Sequence, residues 1–184
     1  MYHAWSGSVP RLWDDLRFPA QNIRVPAGSG ASEHTSGAIE FAGNADGIVA
    51  GVAQMPHTWR HGSAVHPHIH LNAPTSEALN TRWKFEYSIG SIDGAFSAGD
   101  IGTYTALATV TVANPQDTDK HIYKDFGADI NMSAVTTVSS IIMWKMSRLA
   151  STDELDNDTN AWLLLELDFH YQNDTEGSRQ ETVK

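Results

Sequence analysis

Arg82-Trp83-Lys84-Phe85-Glu86-Tyr87-Ser88-Ile89 alternates without a fault: Trp83, Phe85, Tyr87 and Ile89 share one parity, and Arg82, Lys84, Glu86 and Ser88 share the other. Successive side chains of a strand point to opposite faces, so this stretch reads as a strand with an apolar side for a core and a polar side for water. An amphipathic helix would need apolar residues at spacings of three and four instead. The same period of two recurs outward from it, with candidate strands at 38–43, 47–55, 64–71, 104–113, 120–124, 138–149 and 162–171 separated by Gly, Asn, Asp and Pro clusters. With 81–90 these make eight strands and no long helix. The expected fold is all-β: an antiparallel, jelly-roll-like β-sandwich.

Two of these strands make further predictions. In Leu163-Leu164-Leu165-Glu166-Leu167-Asp168-Phe169-His170-Tyr171, strict alternation sends Leu163, Leu165, Leu167, Phe169 and Tyr171 to the core and Glu166, Asp168 and His170 outward. Ile141-Ile142-Met143-Trp144-Lys145-Met146 is apolar on both parities except at Lys145, the pattern of a strand buried on both faces or placed at a subunit interface. Ile142 and Trp144 are accordingly candidate interface residues. The acidic stretch Asp153-Glu154-Leu155-Asp156-Asn157-Asp158 reads as a solvated loop between two strands.

Upstream, residues 1–35 combine Trp13-Asp14-Asp15-Leu16-Arg17-Phe18-Pro19 with the small-residue run Ala27-Gly28-Ser29-Gly30-Ala31-Ser32. This predicts an extended N-terminal arm with one short helical turn and a flexible connector, followed by a sandwich domain over 36–184. Trp13 and Phe18 are costly to leave in water, so the arm is expected to pack on its own domain or on a neighbouring subunit, which adds both residues to the interface candidates.

Length and charge bound the function. A chain of 184 residues suits one core. Twelve Lys and Arg against 22 Asp and Glu give a formal charge of −10, which argues against a nucleic-acid partner. No cysteine occurs, so disulfides, thiolate metal sites and cysteine nucleophiles are excluded. The first residues lack a basic region followed by an apolar run, and no apolar stretch approaches membrane-spanning length, so neither a secretion signal nor a membrane partner is expected.

The chemistry in this sequence is concentrated in histidine. His66-Pro67-His68-Ile69-His70 places three imidazoles on one face of a strand, and neutral imidazole suits transition metals. The same pattern also describes a wet face whose polar residues are histidine. Pro67 removes a ladder donor and points to an edge strand, a strand start or a bulge, which makes His68 and His70 the better metal pair and leaves His66 at an edge or bend. His57 and His61 bring the total to five of nine histidines within residues 57–70.

Gly62 to His70 fits the opening of the cupin metal motif, but Glu77 comes too late to serve as its glutamate. A metal-dependent cupin-like enzyme would instead need Glu166 or Asp168 as the carboxylate of a two-histidine, one-carboxylate set, and hence neighbouring strands. Asp156-Asn157-Asp158-Thr159-Asn160 opens like a calcium loop, yet Ala161 and Leu167 stand where the EF-hand needs glycine and glutamate. No phosphate-binding loop, dinucleotide fingerprint or serine nucleophile motif occurs.

The segments Trp13–Pro19, Met55-Pro56-His57-Thr58-Trp59, His66–His70, Phe85-Glu86-Tyr87, Lys120-His121, Asp168-Phe169-His170-Tyr171-Gln172-Asn173-Asp174 and Gly177-Ser178-Arg179-Gln180-Glu181 resemble a family of small uncharacterised proteins encoded among the structural genes of tailed bacteriophages. Leu71 departs from that pattern, where tryptophan is expected. The resemblance implies a virion structural protein rather than an enzyme, assembled in the host cytoplasm. Its expected role is a trimeric capsid decoration or cement protein that contacts the major capsid protein or another virion protein. A transition-metal ion at the histidine cluster, from one subunit or shared around a threefold axis, is compatible with that role. The variant expectation is a tail-fibre or spike subunit whose exposed Trp5 or Trp59 stacks on a host glycan.

Overall fold

The computed structural model describes residues 12–73, 75–135 and 137–173. Trp5 and the segment Gly177–Glu181 lie outside the described residues. Ten strands run in chain order: β1 (Leu12–Pro19), β2 (Ala31–Glu33), β3 (Ile39–Phe41), β4 (Gly47–Gln54), β5 (Val65–Ala73), β6 (Asn80–Gly90), β7 (Thr105–Ala113), β8 (Lys120–Asp125), β9 (Ile141–Arg148) and β10 (Trp162–Asn173). All eight predicted strands are present. β1 and β2 fall in the stretch read as an arm.

The strands form two antiparallel sheets, one ordered β2-β3-β10-β5-β8 with β1 also on β10, the other β4-β9-β6-β7. Pairings nest around the central hairpin: β6 with β7, β5 with β8, β4 with β9 and β3 with β10. That nesting is the jelly roll, a long antiparallel ribbon rolled so that its strands divide between two sheets.

Inward parities meet between the sheets, where Trp83, Phe85, Trp144, Trp162, Phe41 and Phe169 are all fully buried. Aromatic rings there pack edge to face, Phe41 on Trp83 at 4.9 Å and 70°. Ile142 and Trp144, expected at a subunit contact, belong to this core with no accessible surface. The reason is position: β9 is an inner strand between β4 and β6, so its apolar parity faces the opposite sheet. Trp59, expected to be exposed, is also fully buried.

The described part of the arm belongs to the sandwich. β1 pairs with β10 from Leu12↔Asn173 to Pro19↔Glu166, and Leu16 and Phe18 pack on the core. Phe18 meets Trp144 and Phe169 edge to face at 5.7 and 5.8 Å. The connector is pinned rather than loose: the Ser29 hydroxyl donates to Ile48 O at 2.9 Å and accepts from Ile48 N at 2.6 Å. A Cβ on Gly30 would lie 2.7 Å from Asp46 O, so only glycine lets the backbones approach this closely. Residue 35 therefore does not divide two packed units.

Two local features depart from simple alternation. β10 carries a bulge between Leu164 and Glu166. The bulge shifts the parity, so that Trp162 and Leu164 point inward before it and Leu167, Phe169 and Tyr171 after it, leaving Leu165 exposed instead of in the core. The acidic loop is not solvated at its centre, because Asp156 and Asp158 are buried against Arg148, which is itself fully buried. Arg148 donates to Asp156 Oδ2 and Oδ1 at 3.1 and 3.0 Å and to the carbonyls of Phe41, Asn160 and Asp158. Asp158 in turn accepts from the Trp162 indole at 2.8 Å. The Asp156 carboxylate neutralises a core arginine and the Asp158 carboxylate holds Asn160 and Trp162, so a calcium-loop reading is not needed for them.

Candidate ligand site on the outer sheet

β10 lies between β1 and β5, and β5 lies between β10 and β8, so four strands present their polar parities side by side. Register sets Glu166 beside His70, Asp168 beside His68 and His170 beside His66. It also sets Arg17 beside Asp168 and Asp15 beside His170 on one flank, and Tyr123 beside His70 on the other. The strand adjacency that a two-histidine, one-carboxylate set requires is therefore met.

The Pro67 constraint resolves differently from its sequence reading. β5 is an inner strand, yet Val65 exchanges backbone hydrogen bonds with Ile130, and Pro67 O accepts from Phe126 N. Odd-numbered backbone groups thus face the β8 side, and the missing N–H of Pro67 falls just past Asp125, where β8 ends. No ladder bond to β10 is lost.

His68 and Asp168 are 2% and 4% exposed although they sit on the outward face, because their neighbours cover them. The His68 ring lies 4.4 Å from His170, 4.8 Å from Tyr123 and 5.2 Å from His70. His68 Nε2 is 2.5 Å from Asp168 Oδ1, and His70 Nε2 is 3.5 Å from Asp168 Oδ2. One donor atom from each of His68, His70 and Asp168 lies within 4.8 Å of the others. The short His68–Asp168 approach is not aligned as a hydrogen bond, and among the described residues neither His68 Nδ1 nor Asp168 Oδ1 has a hydrogen-bond partner.

On the far side of His70, Nδ1 meets His121 Nε2 at 2.6 Å. The rings are 29° from coplanar with centroids 4.8 Å apart, so they meet edge to edge through these nitrogens. Burial lowers the His70 pKa below its ordinary value, with the neighbouring His68 and His121 adding to the shift and Asp168 opposing it. The imidazole is thereby held in its neutral, ligating form at neutral pH.

An outer ring of pairs frames this cluster. Arg17 forms a two-pronged contact with Glu166, its Nη2 2.6 Å from Oε2, and Asp15 Oδ1 lies 2.6 Å from His170 Nε2. His66 turns away, its Nδ1 on Asp129 and its ring 4.9 Å from Trp13. An open depression of about 470 Å³ lies over the cluster, bordered by Arg17, His121, Tyr123 and Leu165.

Of the sequence candidates, His68 and His70 come together with Asp168, while His66 does not join them. Glu166 serves Arg17, and Glu77 accepts from Asn160 Nδ2 at 3.2 Å away from the depression. His57 is bonded to Ser139 Oγ at 2.7 Å, so the local histidine enrichment is not one site. Trp13 is half exposed beside His66, whereas Phe18 packs inward. Sequence reasoning missed Arg17, His121 and Tyr123 as neighbours of the cluster, since only β1–β10 and β5–β8 pairing brings them there.

No protein-family model matches the chain, and no curated protein does. Among solved structures, 85% of the chain overlies 23% of the MgGH51 α-L-arabinofuranosidase at 10% identity and a TM-score of 0.38. It spans only 14% and 27% of two further long chains. It overlies the K1 cleaved adhesin domain of Lys-gingipain from Porphyromonas gingivalis W83 at 11% identity, covering 88% of this chain and 98% of that one, with a TM-score of 0.42. For the C-terminal family 22 carbohydrate-binding module of Clostridium thermocellum Xyn10B the values are 12% identity, 94% and 92% coverage and a TM-score of 0.38. The fold assignment above rests on the strand order itself, not on these overlays.

Proposed function

We propose that this chain is a structural subunit of a tailed-bacteriophage particle, a capsid decoration or cement protein that works as a homotrimer. It acts by burying surface against the major capsid protein or another virion protein. The resemblance of segments from Trp13 to Glu181 supports the reading. The observation that carries it is the outer face of the β1-β10-β5-β8 sheet, where Trp13, Tyr123 and Leu165 are 50%, 52% and 37% exposed around the histidine cluster. Large apolar groups gathered on one polar-rimmed face mark a partner contact. The net charge of −10 speaks for a protein partner rather than DNA.

A second reading, a tail-fibre or spike subunit binding a host glycan, draws on the same face. Trp13 and Tyr123 offer ring surfaces for sugar stacking beside the carboxylates and guanidinium of Asp15, Glu166 and Arg17. Buried Trp59 has no place in it.

The test is co-sedimentation of the full chain with particles that lack it, alongside its oligomeric state in solution. Trimers that bind particles, and a Trp13→Ala/Tyr123→Ala variant that stays folded but binds at least tenfold more weakly, are the expected results. Wild-type protein that ignores particles removes the virion reading, and full binding by the variant removes this face from it.

A further inference from the structure

We propose that His68, His70 and Asp168 bind one first-row transition-metal dication within a single chain, and that His121 is the residue that orients His70 for it. The site stands independently of the virion reading, because every group it needs comes from β5, β8 and β10 of one chain.

Four observations converge. The donor set is two imidazoles and one carboxylate without thiolate, a set that suits zinc, nickel, cobalt or iron. Its members are held on inner strands, where β-sheet register and not loop conformation fixes their spacing. His68 and Asp168 are more than nine-tenths buried, and each keeps an unbonded polar atom. Leaving the buried Asp168 Oδ1 unsatisfied is costly, and an ion between this oxygen and His68 Nε2 turns a misaligned short contact into two bonds. The donor atoms lie within 4.8 Å of one another, so side-chain rotations that bring them to the span of two bonds of about 2.1 Å would let all three reach one ion.

The surrounding pairs keep the ligands available. Register places Arg17 beside Asp168, where it would compete as a counter-ion, but Glu166 takes the guanidinium through both oxygens. Asp125, beside His68 in the ladder, is occupied by the backbone N–H of Gly127. His121 then decides the His70 tautomer. An edge-to-edge contact between Nδ1 of one ring and Nε2 of the other holds a single proton. When His70 donates it, His70 Nε2 is left with its lone pair facing Asp168. This is the outer-shell hydrogen bond that metal-ligating histidines ordinarily make. With three protein ligands, the coordination position facing the depression is left to solvent.

The test uses untagged full chain, stripped with chelator and titrated with Zn²⁺ by calorimetry and with Co²⁺ by absorption. Expected are one ion per chain, visible Co²⁺ bands of a nitrogen/oxygen site and a rise in melting temperature on zinc addition. His68→Ala and the near-isosteric Asp168→Asn should each weaken binding at least a hundredfold. His121→Ala should weaken it 10–100-fold, and His121→Gln, whose carbonyl oxygen still accepts from His70, should recover most of the loss. His34→Ala, remote from the cluster, should bind as wild type. If His68→Ala does not fold, Asp168→Asn together with the wild-type cobalt spectrum decides. No saturable binding by the folded wild type, unchanged affinity in Asp168→Asn, or one ion per three chains overturns the proposal. Equal loss in His121→Ala and His121→Gln removes the orienting role.

Discussion

Arg148 is the residue on which the end of the sandwich depends. Its guanidinium, without accessible surface, is neutralised by Asp156 and caps three backbone carbonyls, so removing either charge strands the other in the core. Asp156→Ala should therefore destabilise the fold by about 3–5 kcal/mol, measured by urea unfolding, because it leaves a buried charge without its partner. Exposed acidic neighbours such as Glu154 should cost little when replaced. On the other sheet's polar side, Glu86 sits 2.9 Å from both Lys84 Nζ and Lys145 Nζ. Burial pushes its pKa up, but the bonds and charges of Lys145 and Lys84 outweigh it and the net direction is down from 4.5. A carboxyl lowered in the folded state contributes stability above its unfolded value, and that stability is lost as the pH falls through the folded value. Wild type should thus lose stability below about pH 4.5, and Glu86→Gln should start less stable at pH 7 and fall less steeply there. Parallel acid limbs for the two proteins would contradict this.

At the scale of elements, β1 is the strand whose role the structure changes. Phe18 reaches the core against Trp144 and Phe169, so Phe18→Ala should cost about 3 kcal/mol in unfolding free energy. Removing residues 1–30, which takes all of β1, should destabilise the sandwich itself rather than merely free it from neighbours. A truncated chain with unchanged melting temperature would refute that. The strands from β3 to β10 are legible in the sequence because each needs one buried face, and burial writes itself as alternation in Arg82–Ile89 as plainly as in the other runs. β1 is not, since Asp14 and Asp15 interrupt its pattern and only its pairing with Asn173 to Glu166 makes it a strand. The β10 bulge is equally silent: nothing local in Leu163-Leu164-Leu165 says which leucine will be extra. The candidate site was half legible. His68 and His70 announce themselves by spacing within one strand, but Asp168 and His121 join them through pairings between strands about 50–100 residues apart in the chain. Pro67 misdirected the reading towards an edge, because a missing N–H matters only on the side where a neighbour is bonded.

For the whole molecule, nested pairing places β5 and β10 at the centre of one sheet, and so puts the polar parities of the two most chemically distinctive strands on one outward face. The same face carries Trp13 and Tyr123, half exposed, next to buried His68 and Asp168. The jelly roll thus separates its faces: the inner ones hold the fold together, and the outer face of this sheet carries the exposed rings and the histidine cluster, which the proposed function assigns to a partner. Trp13→Ala should leave the melting temperature within about 1 °C of wild type while weakening attachment to particles, since a half-exposed ring contributes little to folding. The measurement that tests the account most directly is imaging of intact particles at a resolution that orients the subunit. The account predicts trimers on the head with Trp13, Tyr123 and the histidine cluster turned towards the neighbour. Subunits that present this face to solvent and bind through the β4-β9-β6-β7 sheet, or particles that contain no copy of the chain, would contradict it.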